Sequence, residues 1–239
     1  MASVLVVQER IMRRPLFRLR TLFLFVTALA CLLAYEIDSA RRQREFVDSL
    51  QGKYGSARYS WQFDAKGNFD PNATPPLPDW LLRSFDPNYF YRVTDVRLMS
   101  GLSGVKTEWL HGNKNIKSLL LEGGTTHELL HCIKRNRNLT SLHVVLTGDV
   151  DFSFVDETPG LQQLWIERAT IKNVSKLSKL RSLRKLRFEG CNLSGLEVDD
   201  FAQLQGLSEL ELFSMDYDGT FPRDNLARIR AMLPHCLIR

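Results

Sequence analysis

The stretch LRKLRFEGCNL (residues 183–193) alternates large apolar side chains with charged ones and then returns to apolar residues at Cys191 and Leu193. In an extended chain Leu186 and Phe188 point to one face, and Lys185, Arg187 and Glu189 to the other. The same apolar-x-x-apolar-x-apolar spacing occurs at Val93/Val96/Leu98, Ile116/Leu119/Leu121, Leu139/Leu142/Val144, Leu161/Leu164/Ile166, Leu183/Leu186/Phe188 and Leu207/Leu210/Leu212. Successive starts lie 23, 23, 22, 22 and 24 residues apart. Six phased matches at a near-constant interval imply short strands that cannot bury their apolar side alone and must stack to share one core.

The returns between these strands fit the same plan. Val174/Leu177/Leu180 and Phe201/Leu204 step by three into Leu183 and Leu207, a spacing that suits helical or 3₁₀ turns. Residues 225–233 (NLARIRAML) put Leu226, Ile229 and Leu233 on one helix face; Pro234 ends that helix, and residues 236–238 (CLI) follow as a closing strand.

Residues 93–239 resemble the leucine-rich-repeat family, most closely in the fifth unit, where Cys191 stands at the position the family gives to Asn or Cys. Gly101, Gly124, Thr147, Ala169 and Met215 occupy that position in the other units, so the family's asparagine ladder is mostly missing. The resemblance implies an α/β solenoid with a parallel concave sheet and a helical or irregular convex side. The concave centre would be a column of Arg97, Leu120, His143, Trp165, Arg187 and Glu211, the expected binding face for a protein or other macromolecule. Trp165 beside His143 and Arg187 is its most interface-like cluster, because exposed Trp and Arg bring area and directed hydrogen bonds. Residues 172–187 hold seven basic groups and no acid; the run reads as a solvated face, with an anionic partner as the alternative.

Upstream, residues 21–35 (TLFLFVTALACLLAY) carry no charge and follow Arg13, Arg14, Arg18 and Arg20. Fifteen helical residues span only about 22 Å, but Leu16 to Ile37 reaches about 33 Å if Arg18 and Arg20 snorkel, enough for a bilayer. A retained signal-anchor helix is the preferred reading, since apolar residues continue past any cleavage point. A signal peptide cleaved near Ala28-Leu29-Ala30, yielding a soluble exported repeat protein, lipid attachment at Cys31 and a buried core helix are the alternatives. The short Arg-rich side implies a cytoplasmic N-terminus with the repeats outside the cytoplasm. The divisions expected are therefore a tail over 1–15, the anchor over 16–37, a juxtamembrane helix and cap over 38–92, and the repeats over 93–239.

Residues 36–50 continue as a charged helix whose Ile37, Phe46, Val47 and Leu50 mark an apolar side, residues 57–63 (ARYSWQF) read as an alternating strand, and Asp79 reads as a helix N-cap. Trp80, Phe85, Tyr89, Phe90 and Tyr91 are expected to close the open end of the stacked core.

Charge narrows the partners. Residues 1–44 hold eight Arg and three acidic residues and so account for the whole net charge of +5; the remainder carries 24 basic and 24 acidic groups. A neutral folded part lacks the footprint that nucleic-acid binding needs. No cofactor fingerprint is visible, and three thiols in the folded part (Cys132, Cys191, Cys236) make no disulfide framework or CxxC pair. One string speaks for catalysis: HELLH (residues 127–131) matches HExxH, in which His127 and His131 on one helix face would hold zinc and Glu128 would act as general base. It has no glycine-histidine extension and no obvious distant acidic ligand, and it falls where Leu129 and Leu130 are wanted for packing, so the preferred reading has no metal and no catalysis. Asn72, Asn138, Asn173 and Asn192 begin glycosylation-acceptor strings.

Overall fold

A computed structural model describes residues 19–50, 55–64, 66–99, 105, 107–111, 113–123, 126–133, 135–150, 152–193, 196–213 and 223–239. The expected tail over 1–15, Leu16, Arg13, Arg14 and Arg18 lie outside the described residues, as do Gly101, Gly124 and Met215. The chain divides into two compact units, Met1–Ser39 and Ala40–Arg239.

The first unit is described from Leu19 as the beginning of α1 (Leu19–Leu50). Its large apolar side chains, from Leu19 through Ile37, are all exposed. The helix is long and apolar enough to cross a membrane, a property that signal sequences share.

The second unit is α/β, built on one eight-stranded, mostly parallel sheet. Its strands are β1 (Ser56–Tyr59), β2 (Val93–Leu98), β3 (Ser118–Glu122), β4 (Ser141–Val150), β5 (Gln163–Ile171), β6 (Lys185–Glu189), β7 (Glu209–Phe213) and β8 (Leu237–Ile238), ordered in space as in sequence. Only the first pairing is antiparallel; β2 through β8 run parallel. The register places Leu142, Leu164, Leu186 and Leu210 in one row and Val144, Ile166, Phe188 and Leu212 in the next. Of the eighteen apolar positions that set the period, all but Leu212 are buried, and Leu212 packs against the same core. The 22–24-residue spacing thus separates like positions on successive strands of the sheet.

Those crossings are mostly 3₁₀ helices: Thr107–Leu110, Ser153–Glu157, Val174–Lys179 and Val198–Gln203. Their three-residue step turns Val174 and Leu177, then Val198 and Phe201, into the core. Two crossings are α-helical, α3 (Thr126–Ile133) and α4 (Arg223–Met232). The buried Cys191 thiol ties two strands together, donating to the Ile166 carbonyl at 3.3 Å. Around Ala169 the backbone does the same work, with Asn192 N–H donating to Ala169 O at 2.8 Å and Ile171 N–H to Asn192 O at 3.0 Å.

The N-terminal part of this unit departs from expectation in three places. The strand read over 57–63 stops at Tyr59, because residues Ser60–Gln62 turn as a 3₁₀ helix whose Gln62 side chain accepts from Tyr59 N–H at 2.9 Å. In α2 (Asp79–Ser84) the cap position is Pro78, and Asp79 lies in the first turn, where its charge favours the helix dipole. The aromatic cap is the third correction: Tyr91 is buried, but Trp80, Phe85, Tyr89 and Phe90 are exposed and do not close the core.

The end of the sheet is covered instead by the last turns of α1. Ala40, Phe46 and Leu50 are buried, and Phe46 stacks on Trp109 with ring centroids 4.6 Å apart. Gln43, 1% exposed, is pinned among them. Its amide donates to Asn88 Oδ1 at 2.9 Å and Tyr91 O at 2.7 Å, while its oxygen accepts from Val93 N–H at 3.3 Å. A buried amide with all these partners orients the helix end more narrowly than aliphatic packing would.

Candidate functional site

Alternate residues of the same strands form the open face of the sheet. The register brings the whole expected column into line: Arg97 pairs with Leu120, Leu120 with His143, His143 with Trp165, Trp165 with Arg187, and Arg187 with Glu211. All six side chains are half-buried, which is what one uncovered sheet face allows. Adjacent strands lie about 4.8 Å apart, so flat groups on one row are held at stacking distance. His143 and Trp165 use this directly, with ring centroids 3.9 Å apart and planes within 2° of parallel. The Arg187 guanidinium covers the other side of the indole at 4.2 Å and lies 5.0 Å from the Phe213 ring.

Carboxylates surround the stack and fix its ends. Arg187 Nη2 donates to Glu189 Oε2 at 2.6 Å and Nη1 to Glu211 Oε2 at 3.0 Å. Arg239 reaches Glu211 Oε1 at 3.4 Å and Glu209 Oε1 at 3.5 Å, and Lys185 pairs with Glu209 at 2.9 Å. These cations hold the Glu209 carboxyl below its usual range, the Lys185 hydrogen bond first. At the other side His143 Nε2 meets Glu167 Oε1 at 2.7 Å. Burial lowers the His143 pKa although Glu167 pulls it up, so the imidazole is neutral at neutral pH and its Nε2–H donates to Glu167. The Trp165 indole N–H is buried and has no acceptor. Around Gln163, Trp165, Lys185, Arg187, Glu209 and Glu211 the face forms an open hollow of about 290 Å³.

Neither a protein-family model nor any curated protein matches this chain. The site is therefore read from its own geometry. That geometry draws His143, Trp165, Arg187 and Glu211 into one bonded cluster. Arg97 stands apart, facing Asp95 at 3.5 Å, with Leu120 between it and the stack. Glu167, Glu189 and Phe213, two residues beyond the column on the same side of each strand, belong to the cluster as well. Their signal in the sequence is the period of two that places them on that face.

The basic run over 172–187 is not a free cationic surface. Lys172 pairs with Asp149 at 2.5 Å, Lys179 with Asp156 at 2.9 Å, and Lys185 and Arg187 with the glutamates above. Arg184 donates to the carbonyls of Arg181, Leu183 and Gly206. Asp149, Asp156, Glu209 and Glu211, all outside the run, thus face Lys172, Lys179, Lys185 and Arg187, four of its seven basic groups.

HELLH does fall on a helix, α3, which puts the backbone positions of His127 and His131 four apart on one side. The side chain of His131 lies outside the described residues. Among the described residues no group of three His, Cys, Asp or Glu side chains comes together as a metal cage. Cys132, next along α3, is buried and its thiol is pushed up to about 12 by desolvation and then by Glu128, which keeps it protonated and unsuited to ligation or attack.

Proposed function

We propose that this chain is a membrane-tethered leucine-rich-repeat protein that binds a macromolecular partner through its concave sheet face and carries out no catalysis. Parallel strands in register at a 22–24-residue interval support the repeat reading. The apolar first part of α1 supports a tether over Leu16–Ile37, with the N-terminus cytoplasmic and the repeats outside the cytoplasm. The observation that carries the binding reading is the stack of His143, Trp165 and Arg187 on an uncovered face. Inner positions of these strands are dictated by packing, whereas nothing in the fold requires a tryptophan on the open face, and Trp and Arg are among the residues enriched at the energetic centres of interfaces. Charges on the face are largely paired within it, so the partner is selected by shape and directed hydrogen bonds more than by net charge.

A photo-crosslinking amino acid at Leu120, on the open face, tests this in the full chain in native membranes. The expected result is a discrete adduct that disappears in the Trp165→Ala, Arg187→Ala double variant and is absent when the crosslinker stands at Lys176. An adduct that survives the double variant removes the stack from the proposal. A zinc-hydrolase reading through His127, Glu128 and His131 rests on the string alone; stoichiometric zinc in protein purified without added metal would revive it.

A further inference from the structure

Outside α1, six large apolar side chains are exposed among the described residues, and four of them fall within residues 80–90: Trp80 at 66%, Phe85 at 53%, Tyr89 at 46% and Phe90 at 41%. The polarity of this segment is the reverse of a water-facing cap. Its inward positions are the polar Asn88 and the tyrosine Tyr91, bonded to Gln43, while its aromatic rings face out. The segment is also held firmly. Asp86 accepts from Asn88 N–H and from its side-chain amide, both at 2.8 Å, and faces Arg44 at 3.3 Å. Phe85 and Phe90 meet edge to face at 6.1 Å and leave the rest of both rings bare.

Chain connectivity limits where such a patch can be. Ile37, the end of the proposed anchor, precedes Gln43 by six residues. Whatever path those residues take, Gln43 lies within about 20 Å of the anchor's end. Asn88 and Tyr91 are hydrogen-bonded to Gln43, so the aromatic segment is confined to the neighbourhood of the headgroups if the anchor spans the bilayer. Trp and Tyr gain most at that depth, with the ring in the acyl boundary and the polar edge in water, and the exposed Arg83 beside Trp80 suits a phosphate.

We infer that residues 80–90 form a second membrane contact, in which Trp80, Phe85, Tyr89 and Phe90 insert at the lipid surface beside the chain's own anchor. The inference rests on the membrane-tethered reading above. Its consequence is that the sheet unit meets the bilayer through its own surface as well as through the anchor.

The test uses the full chain reconstituted in vesicles of equal parts phosphatidylcholine and phosphatidylglycerol, with ordinary or brominated acyl chains. Bromine quenches tryptophan emission on contact, and Trp61, Trp109 and Trp165 serve as internal references. Emission is expected to be lower in brominated vesicles, and Trp80→Phe, a change at an exposed position that keeps the patch aromatic, is expected to lose that lipid-dependent drop. An equal drop in wild type and Trp80→Phe, or no drop in either, with the chain still retained on vesicles after an alkaline wash, overturns the second contact. The anchor would then stand, and the patch would belong to a protein partner or a second copy. Release by the wash overturns the anchor and this inference together.

Discussion

The two faces of the same six strands obey different rules. On the inner face, Leu142, Leu164, Leu186 and Leu210 repeat almost without change, because each must fill the same space between neighbouring units. On the open face, the equivalent row reads Arg97, Leu120, His143, Trp165, Arg187 and Glu211, with no two residues alike except the arginines. Packing enforces repetition on one side and leaves the other free to vary. Stability should therefore be concentrated in the monotonous face and specificity in the irregular one.

The comparison breaks most readily at Phe188. It is fully buried and its ring lies 6.4 Å from that of Phe152, which precedes the 3₁₀ helix between β4 and β5. Phe188→Ala is expected to cost about 3–5 kcal/mol, because the close-packed core around it relaxes only partly into the cavity. Urea titration of the full chain followed by circular dichroism measures this. A loss no larger than that of its open-face neighbour Arg187→Ala would erase the distinction between the faces.

Gln43 sharpens the comparison, since it is a polar residue doing an inner-face job. Gln43→Ala strands Val93 N–H, Tyr91 O and part of Asn88 in a buried site, and is expected to cost about 1–3 kcal/mol. Protease sensitivity in residues 80–92 should rise alongside. If stability and protection are both unchanged, water reaches the site and the helix end is held by Phe46 and Leu50 alone.

The same contrast explains what could be read from the sequence. The strands of the sheet and the members of its open column follow from period two inside a period of about 23, and the register confirms the alignment of those residues. Pairing is invisible at that level. The basic run over 172–187 looked unopposed because Asp149, Asp156 and Glu209 belong to neighbouring units, a full period away in the chain. The role of Gln43 is hidden in the sequence for the same reason: its partners lie 45–50 residues away, and a glutamine on an amphipathic helix ordinarily faces water. Residues 80–91 failed differently. Aromatic content alone does not tell a buried ring from one on a surface that meets something other than water.

A smaller stability effect is expected on the irregular face. Trp165→Ala removes a stacked imidazole contact and a cation–π contact, each of order 1 kcal/mol or less at a half-open site, and also removes an indole N–H that had no acceptor. The net change in unfolding free energy should be about 1 kcal/mol, well below that of Phe188→Ala, while crosslinking to the partner is lost. A variant that unfolds as readily as Phe188→Ala would mean that the stack is a structural element and not a recognition surface.

The smallest effect is a pH dependence, and its sign follows from His143. Burial lowers its pKa in the folded chain, so the unfolded chain binds a proton that the folded one resists. Stability contributed by the neutral imidazole is complete above the ordinary histidine value of about 6.5 and is lost as pH falls through that value toward the lower folded one. Glu167 opposes the trend by attracting the charged ring, which keeps the slope shallow. His143→Gln retains a donor for Glu167 and cannot titrate. Thermal midpoints of the two proteins between about pH 7 and pH 5 should converge as the pH falls, because only the wild type loses its histidine contribution. Divergence in favour of the wild type would mean that pairing with Glu167 outweighs burial, and that the open face gains a fixed positive charge on acidification.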